Sequence, residues 1–215
     1  MTERRKTHKL PSMSDSIKIE SLFSTQIYSA QLPVRANADL AKICLSLAAE
    51  DRAGQRWSKQ HGYRGYTSYA SLDDLPQRAS MFANLVSVID CHVHAFAKAL
   101  DYAQTKPVLD SLWVNVMNEG AVHTGHIHPH SAISGTYYVS VPKGAAVIRF
   151  EDPRLPLMMA APAKHKNAKR QNAPFVFIAP KPGTLLLWES FLRHEVPQNS
   201  ARGKRISISF NYVLG

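Results

Sequence analysis

The chain has 215 residues, of which 45% are hydrophobic and 20% are charged, the composition of an ordinary globular protein. No apolar run approaches the roughly 18 residues that a membrane-spanning helix needs, so none is expected. The formal net charge is +10, and much of it comes from clusters at Arg4 to Lys9, Lys164 to Arg170 and Arg202 to Arg205. Such clusters are more often solvated tails and loops than binding sites, so nucleic acid is not an expected partner.

The first 16 residues are basic and polar, and they lack the apolar stretch of a secretory signal. We expect residues 1–16 to form a disordered tail and residues 17–215 to form a single domain. The two cysteines, Cys44 and Cys91, both lie in apolar patterns of helical spacing, so both are expected to be buried thiols. They do not make a disulfide framework, which favours a reducing cytoplasm.

The first half of the domain predicts one early strand followed by two helices. Residues 17–32 contain the β-branched and aromatic side chains typical of a strand. Apolar residues recur at the spacing of one helical face over residues 38–53, which predicts the first helix. Residues 57–72 are expected to be a loop. An acidic cap with proline in the first turn begins the second helix, which is expected over residues 74–102.

The second half of the domain, residues 111–215, consists of short runs rich in β-branched and aromatic residues. Turn signals such as Pro142 to Gly144 and Pro180 to Gly183 separate these runs. Many short strands at close spacing favour a sandwich or barrel over a parallel sheet. With the helices packed on such a barrel, the sequence predicts one α+β domain that is mainly β.

The last predicted strand, RISISFNYV (205–213), alternates between apolar and polar residues. With a period of two, one face carries Ile206, Ile208, Phe210 and Tyr212, and the other carries Arg205, Ser207, Ser209 and Asn211. A strand with one solvated face would give this pattern. Arg205 and Ser207 together would also suit a carboxylate bound inside a barrel.

A histidine cluster precedes the strand that begins near Ile133. In an extended chain alternate side chains point the same way, so His126 and His128 can grip one metal ion together. His194, at the end of a later strand, is the natural third ligand. His123 and His130 flank the pair, so a register that uses His128 with His130 remains open.

These motifs resemble those of the 2-oxoglutarate- and Fe(II)-dependent oxygenases, and in particular a bacterial group within them. The resemblance rests on four stretches: WVNVMNEG (113–120), HIHPHSAISGTYYV (126–139), EDPR (151–154) and HEVPQNSARGKRISISFN (194–211). It implies a double-stranded β-helix, a jelly-roll or cupin-like barrel, with the metal at its mouth. It also implies a dioxygenase that hydroxylates a C–H bond and releases succinate and CO2.

The resemblance assigns roles to individual residues of this chain. The Fe(II) ligands would be His126, His128 and His194, and Arg205 would bind the far carboxylate of 2-oxoglutarate with help from Ser207 and Tyr138. Candidates to surround and orient these groups are Asn115, Thr136 and Asn211. Most such oxygenases carry a carboxylate where this chain has His128, but in this group His-x-His is the usual pattern.

Two other hypotheses stay open at this stage. One is a cupin-like metal enzyme or metal-binding protein that does not use 2-oxoglutarate, since three histidines also bind metal there. The other is a basic interaction module in which the histidines are incidental. The long basic insert at residues 154–174 could be a lid or a substrate-binding element. The sequence names no substrate, whether small molecule or peptide, and it leaves the oligomeric state open, a homodimer included.

Overall fold

The computed structural model describes residues 18–103 and 106–215. The predicted tail of residues 1–16 lies outside them. In chain order the elements are β1 (Ile27–Gln31), α1 (Asn37–Glu50), α2 (Arg52–Gln60), β2 (Gly65–Thr67), α3 (Leu75–Arg78), α4 (Ser80–Ala99), β3 (Pro107–Met117), β4 (His123–His126), β5 (Ile133–Ser140), β6 (Ile148–Glu151), β7 (Phe175–Ile178), β8 (Thr184–Glu189), β9 (His194–Val196) and β10 (Arg205–Leu214).

The strands form two antiparallel sheets. The larger sheet has the order β1-β8-β5-β10-β3-β2, and the smaller has the order β4-β9-β6-β7. Strands that are distant in sequence are neighbours in both sheets, as the central position of β10 between β5 and β3 shows. This arrangement is the predicted double-stranded β-helix. Two strands from the N-terminal half, β1 and β2, extend the larger sheet at its edges, so the barrel includes more than residues 111–215.

The helices cover the outer face of the larger sheet. Their apolar side chains share one core with the strands, and the members from β10 are Ile206, Ile208, Phe210 and Tyr212. These residues are the apolar face that the alternation of the last strand predicts. Burial of four large side chains at about 1.5–3 kcal/mol each makes this contact a main source of stability.

The helix boundaries differ from the predicted ones. The predicted helix over residues 38–53 ends at Glu50, because Asp51 leaves helical geometry and its carboxylate accepts the Gly54 N–H at 3.0 Å. That bond caps α2, which occupies part of the predicted loop at residues 57–72. The predicted helix over residues 74–102 is two helices, α3 and α4, separated by the extended residue Ala79.

The two cysteines have different environments. Cys44 is completely buried on α1, as predicted. The prediction for Cys91 is wrong, since it is exposed on α4. The buried face of that helix carries Phe82, Leu85, Ile89, Val93 and Phe96, and Cys91 lies off this stripe. Among the described residues no helix has both the length and the apolar character to cross a membrane.

Candidate metal centre

Three histidines meet at one end of the barrel, on the smaller sheet. His126 is the last residue of β4 and pairs with His194, the first residue of β9. His128 follows two residues after β4, where its backbone N–H donates to the Ser190 carbonyl at 3.0 Å. Strand pairing and this backbone bond therefore fix the positions of all three side chains.

The three imidazoles are close enough to share one ion. One nitrogen from each lies within 4.8 Å of the others. The ring centroids are 4.4 Å apart for His126 and His194, and 5.0 Å apart for His126 and His128. The Nε2 atoms of His128 and His194 are 3.3 Å apart. Two imidazole nitrogens at this distance can coordinate the same first-row metal ion.

Backbone carbonyls orient two of these rings. Nδ1 of His126 lies 2.7 Å from the Thr124 carbonyl, and Nδ1 of His194 lies 2.9 Å from the Leu192 carbonyl. A carbonyl only accepts, so each Nδ1 carries the proton and each Nε2 presents a lone pair. Metal-bound histidines are commonly held in this way.

Burial keeps two of the three imidazoles neutral. Together with a smaller effect of the neighbouring histidines, it lowers the pKa of His194 to about 3 and that of His128 to about 4. Metal ions bind the neutral form of imidazole, so these rings need no deprotonation near pH 7.

The two flanking histidines lie outside the cluster. His123 packs against Tyr63, whose hydroxyl lies 3.0 Å from its Nε2. Burial lowers the pKa of His123 to about 3, with a smaller contribution from the Arg205 charge. His130 is exposed in a turn, with a φ of 68°. The structure thus groups His126 and His128 with His194, rather than His128 with His130.

A cavity of about 60 Å³ leads from the histidines into the barrel. Both sheets contribute to its wall, and the lining residues are Trp113, Asn115, His123, His126, His128, Gly135, Thr136, Tyr138, Ile148, Trp188, His194, Val196, Arg205, Ser207 and Ser209. The polar face of β10 therefore faces the barrel interior, and it is not a solvated surface.

Arg205 is the charged group inside this cavity. Its side chain is 2% exposed, its Nε donates to the Ala146 carbonyl at 3.2 Å, and its guanidinium lies 4.9 Å from the centre of the Tyr138 ring. Across residues 18–103 and 106–215, no carboxylate lies within 4.0 Å of it. A buried cation without an anion is unfavourable, so the site is suited to an anionic ligand.

The remaining predicted residues divide into two groups. Tyr138, Ser207, Asn115 and Thr136 line the cavity, and the Tyr138 hydroxyl has no hydrogen-bond partner among the described residues. Burial raises the pKa of that phenol, so it is a hydrogen-bond donor at neutral pH. Asn211 is not at the cavity wall. Its side chain accepts from Ser134 at 2.8 Å and donates to Ser111 at 3.1 Å, which ties strands together.

Two residues of the site were missed by sequence reasoning. Trp188 lies against His194, with ring centroids 4.7 Å apart, and its Nε1 has no partner in the described part of the chain. Tyr63, from the loop after α2, contacts the cavity-lining His123 through its hydroxyl. Trp188 stands in an apolar strand run that predicts only core packing, and Tyr63 is distant in sequence from every motif.

A double-stranded β-helix with a histidine cluster at one end of its cavity and a buried guanidinium in its wall defines a candidate metal-binding barrel with a place for an anionic ligand. Residues 111–211 match a family model described as "Putative 2OG-Fe(II) oxygenase". Just under half of the chain therefore matches the 2-oxoglutarate- and Fe(II)-dependent oxygenases, and this match supports the function and cofactors predicted from the sequence. The fold, family and cofactors predicted from the sequence are confirmed, and the cupin-like alternative is not favoured.

Solved structures share the fold at low sequence identity. A Pseudomonas putida prolyl-4-hydroxylase is 16% identical over 89% of this chain and 94% of that chain, with a TM-score of 0.57. The epimerase SnoN from nogalamycin biosynthesis, in complex with Fe3+, α-ketoglutarate and nogalamycin RO, is 15% identical over 88% and 79%, with a TM-score of 0.59. The collagen prolyl hydroxylase of Paramecium Bursaria Chlorella virus-1, in its 2OG complex, is 11% identical over 86% and 94%, with a TM-score of 0.55. No curated protein matches the chain by sequence.

Proposed function

We propose that His126, His128 and His194 hold Fe(II), that Arg205 binds the distal carboxylate of 2-oxoglutarate, and that the enzyme hydroxylates a C–H bond of its substrate. The buried guanidinium of Arg205 is the observation that carries this proposal. It lines the same cavity as the three imidazoles, and no described carboxylate neutralises it.

The shape of 2-oxoglutarate suits this arrangement. The molecule carries a carboxylate at each end, and its keto group is next to one of them. One end can therefore pair with a guanidinium while the other end chelates a metal. A guanidinium offers two parallel N–H donors to a carboxylate, which gives Arg205 directional as well as electrostatic selectivity.

The side chains around Arg205 also fit a carboxylate. The Tyr138 hydroxyl is a buried donor without a partner, and such groups are rare in folded proteins unless a ligand completes them. Ser207 presents a second hydroxyl from the next cavity-facing position of β10. We infer that Tyr138 and Ser207 donate to the carboxylate that Arg205 pairs with.

The third imidazole changes the charge balance of the metal site. Three neutral histidines leave the full charge of Fe(II) uncompensated, whereas two histidines and a carboxylate would remove one unit. Bound 2-oxoglutarate carries two negative charges, so it can offset the metal charge and the Arg205 charge together. We expect tight co-substrate binding to depend on both charges.

The protein contributes positioning and the exclusion of water. Bound Fe(II) supplies the oxidative chemistry, in which O2 and 2-oxoglutarate are consumed and succinate and CO2 are released. Trp113, Ile148 and Trp188 form apolar parts of the cavity wall, so they limit the entry of water. The carbonyls of Thr124 and Leu192 hold two imidazoles in the tautomer that binds metal.

The basic insert between β6 and β7 begins just after the strand that pairs with the ligand-bearing β9. Phe150 pairs with His194, and the Asp152 N–H donates to the Pro174 carbonyl at 2.9 Å. The start of the insert is thus held near the ligand-bearing strand, and its end is tied back to that start. We propose that it borders the entrance for substrate. Because both cysteines are free thiols, we also favour a reducing, cytoplasmic setting.

Anaerobic titration of the Fe(II) protein with 2-oxoglutarate tests the proposed function. Chelation through the keto group and adjacent carboxylate should produce a metal-to-ligand charge-transfer band that saturates at one equivalent. Succinate has no keto group and should give no band, which makes it the matched control. Iron bound without a band would refute the assignment of the co-substrate.

A further inference from the structure

A file of aromatic rings leads outward from the metal centre to the protein surface. The ring of Trp113 lies 5.8 Å from that of His128, and Tyr69 lies 5.2 Å beyond Trp113. Trp57 follows at 6.4 Å, and it stacks on His61 at 4.0 Å. These rings come from α2 and its end, the loop after β2, and β3, so only the fold brings them together.

Tyr69 is the exposed member of this file at the rim. Its side chain is 58% exposed, although it contacts the buried ring of Trp113. The loop that carries it is firmly held, because Ser68 is completely buried and exchanges hydrogen bonds with the backbone of Val114. A rigidly presented aromatic ring beside a catalytic cavity costs little entropy to use in binding.

Unpaired cations accompany the rings. Residues 52–72 contain Arg52, Arg56, Lys59 and Arg64 but no aspartate or glutamate, and all four are exposed. Within the described ranges, no carboxylate lies within 4.0 Å of any of them. Summed charges of one sign along a surface attract polyanions and raise their local concentration.

The insert supplies a second cationic border at the metal end. Residues 153–188 contain no acidic side chain, and the stretch from Lys164 to Arg170 holds four lysines and arginines. It begins just after β6, in which Phe150 pairs with His194. The strand ends at the metal centre are therefore bordered by cation-rich segments, one of which also carries the aromatic file.

We propose that this surface binds single-stranded nucleic acid and leads one of its nucleotides to the metal cavity. Bases would stack on Tyr69 and on the Trp57–His61 pair, and phosphates would lie along Arg56, Lys59 and the insert. The chemistry on that nucleotide rests on the proposed function above, whereas the binding itself does not.

The combination of rings and cations favours this occupant over other polyanions. An acidic peptide would pair with the cations but would not need a file of stacking rings. A duplex hides the faces of its bases, so they could not reach Tyr69 without being unpaired first. The clusters at Arg4 to Lys9, Lys164 to Arg170 and Arg202 to Arg205 contain no interleaved aromatic residues, whereas residues 52–72 contain both the cations and the rings of Trp57, His61 and Tyr69.

Fluorescence anisotropy of a short labelled oligonucleotide with the full-length, metal-free protein tests the proposal. Stacking is worth about 1–3 kcal/mol per base, so Tyr69→Ala should weaken binding roughly 5- to 150-fold. The double variant Arg56→Gln/Lys59→Gln should lower the salt dependence of log K by about 1.4, at about 0.7 per phosphate contact. The matched control Lys98→Gln/Lys143→Gln removes two exposed charges elsewhere and should change neither.

The proposal is overturned if Tyr69→Ala binds with wild-type affinity, if a duplex binds equally well, or if polyglutamate competes equally effectively. A variant with Arg4, Arg5, Lys6 and Lys9 changed to Gln tests whether the N-terminal cations alone bind the oligonucleotide. Loss of binding in that variant alone would also overturn the proposal. Tyr69→Ala should keep the charge-transfer band with 2-oxoglutarate. If wild-type protein shows no band, the proposed function fails while the binding result stands.

Discussion

Replacement of Arg205 by methionine should have opposite effects on co-substrate binding and on the stability of the unliganded protein. Methionine is of similar length and apolar, so it removes the charge while filling most of the space. In the complex, the carboxylate of 2-oxoglutarate would then be buried without its cation. Loss of one partner of a buried ion pair costs about 3–4 kcal/mol, which corresponds to roughly 150- to 900-fold weaker binding.

The unliganded protein should respond differently. There the guanidinium is buried without a described anion, and only the Ala146 carbonyl, the Met117 sulfur and the Tyr138 ring offset its desolvation. A hydrogen bond to a charged group and a cation–π contact recover about 2–4 kcal/mol, comparable with the penalty for the buried charge. Arg205→Met should therefore leave the free energy of unfolding unchanged or raise it.

Anaerobic titration of iron-loaded protein measures the first effect, and urea unfolding of metal-free protein measures the second. Arg205→Lys keeps the charge but not the paired donors, so its affinity should fall between those of wild type and Arg205→Met. Both variants should keep the iron, because Arg205 is not proposed as a ligand. An unchanged 2-oxoglutarate affinity in iron-replete Arg205→Met would refute the reasoning.

Three further predictions follow from the site. Substitution of His126, His128 or His194 by Ala should reduce bound iron several-fold in metal analysis, while His123→Ala and His130→Ala keep it; loss of iron in His130→Ala but not in His126→Ala would shift the site by two positions. In the metal-free protein, burial lowers the pKa of His123 and His194 to about 3 and that of His128 to about 4. The unfolded chain takes up these protons near pH 6.5 and the folded chain does not, so the free energy of unfolding should fall as the pH drops from about 6.5 toward 4. Urea titrations check this, and His123→Gln should flatten the profile; a profile that is flat in wild type contradicts it. Finally, trypsin should cut the insert at Lys164 to Arg170 before the barrel strands, and 2-oxoglutarate should slow the cut; equal resistance of insert and strands would show that the insert is well packed.

Much of the site was predictable because its signals are local. His126 and His128 are two residues apart, and Arg205 and Ser207 share the polar face of one strand, so the period of an extended chain places each pair on one side. Residues drawn from unrelated positions were not predictable in this way. Tyr63 reaches His123 only because β2, which follows it, pairs with β3. Trp188 reaches His194 only because the two sheets face each other.

The helices show a different limit of sequence reasoning. Their apolar periodicity predicts that helices exist near residues 38–53 and 74–102, but it does not reveal where they stop. Asp51 both ends α1 and caps α2, and apolar periodicity does not predict either role. At Cys91 the residue type suggested burial, although the helical stripe from Phe82 to Phe96 excludes that position.

The two buried faces of β10 have a consequence for how this gene tolerates mutation. Ile206, Ile208 and Phe210 pack under the helices, while Arg205 and Ser207 face the cavity. In a saturation mutagenesis scan that measures protein abundance and catalytic activity separately, neighbouring positions of this strand should therefore fall alternately into two classes. Changes at 206, 208 and 210 should deplete the protein, and changes at 205 and 207 should leave it abundant but inactive. One strand would then show both selective pressures in alternate residues.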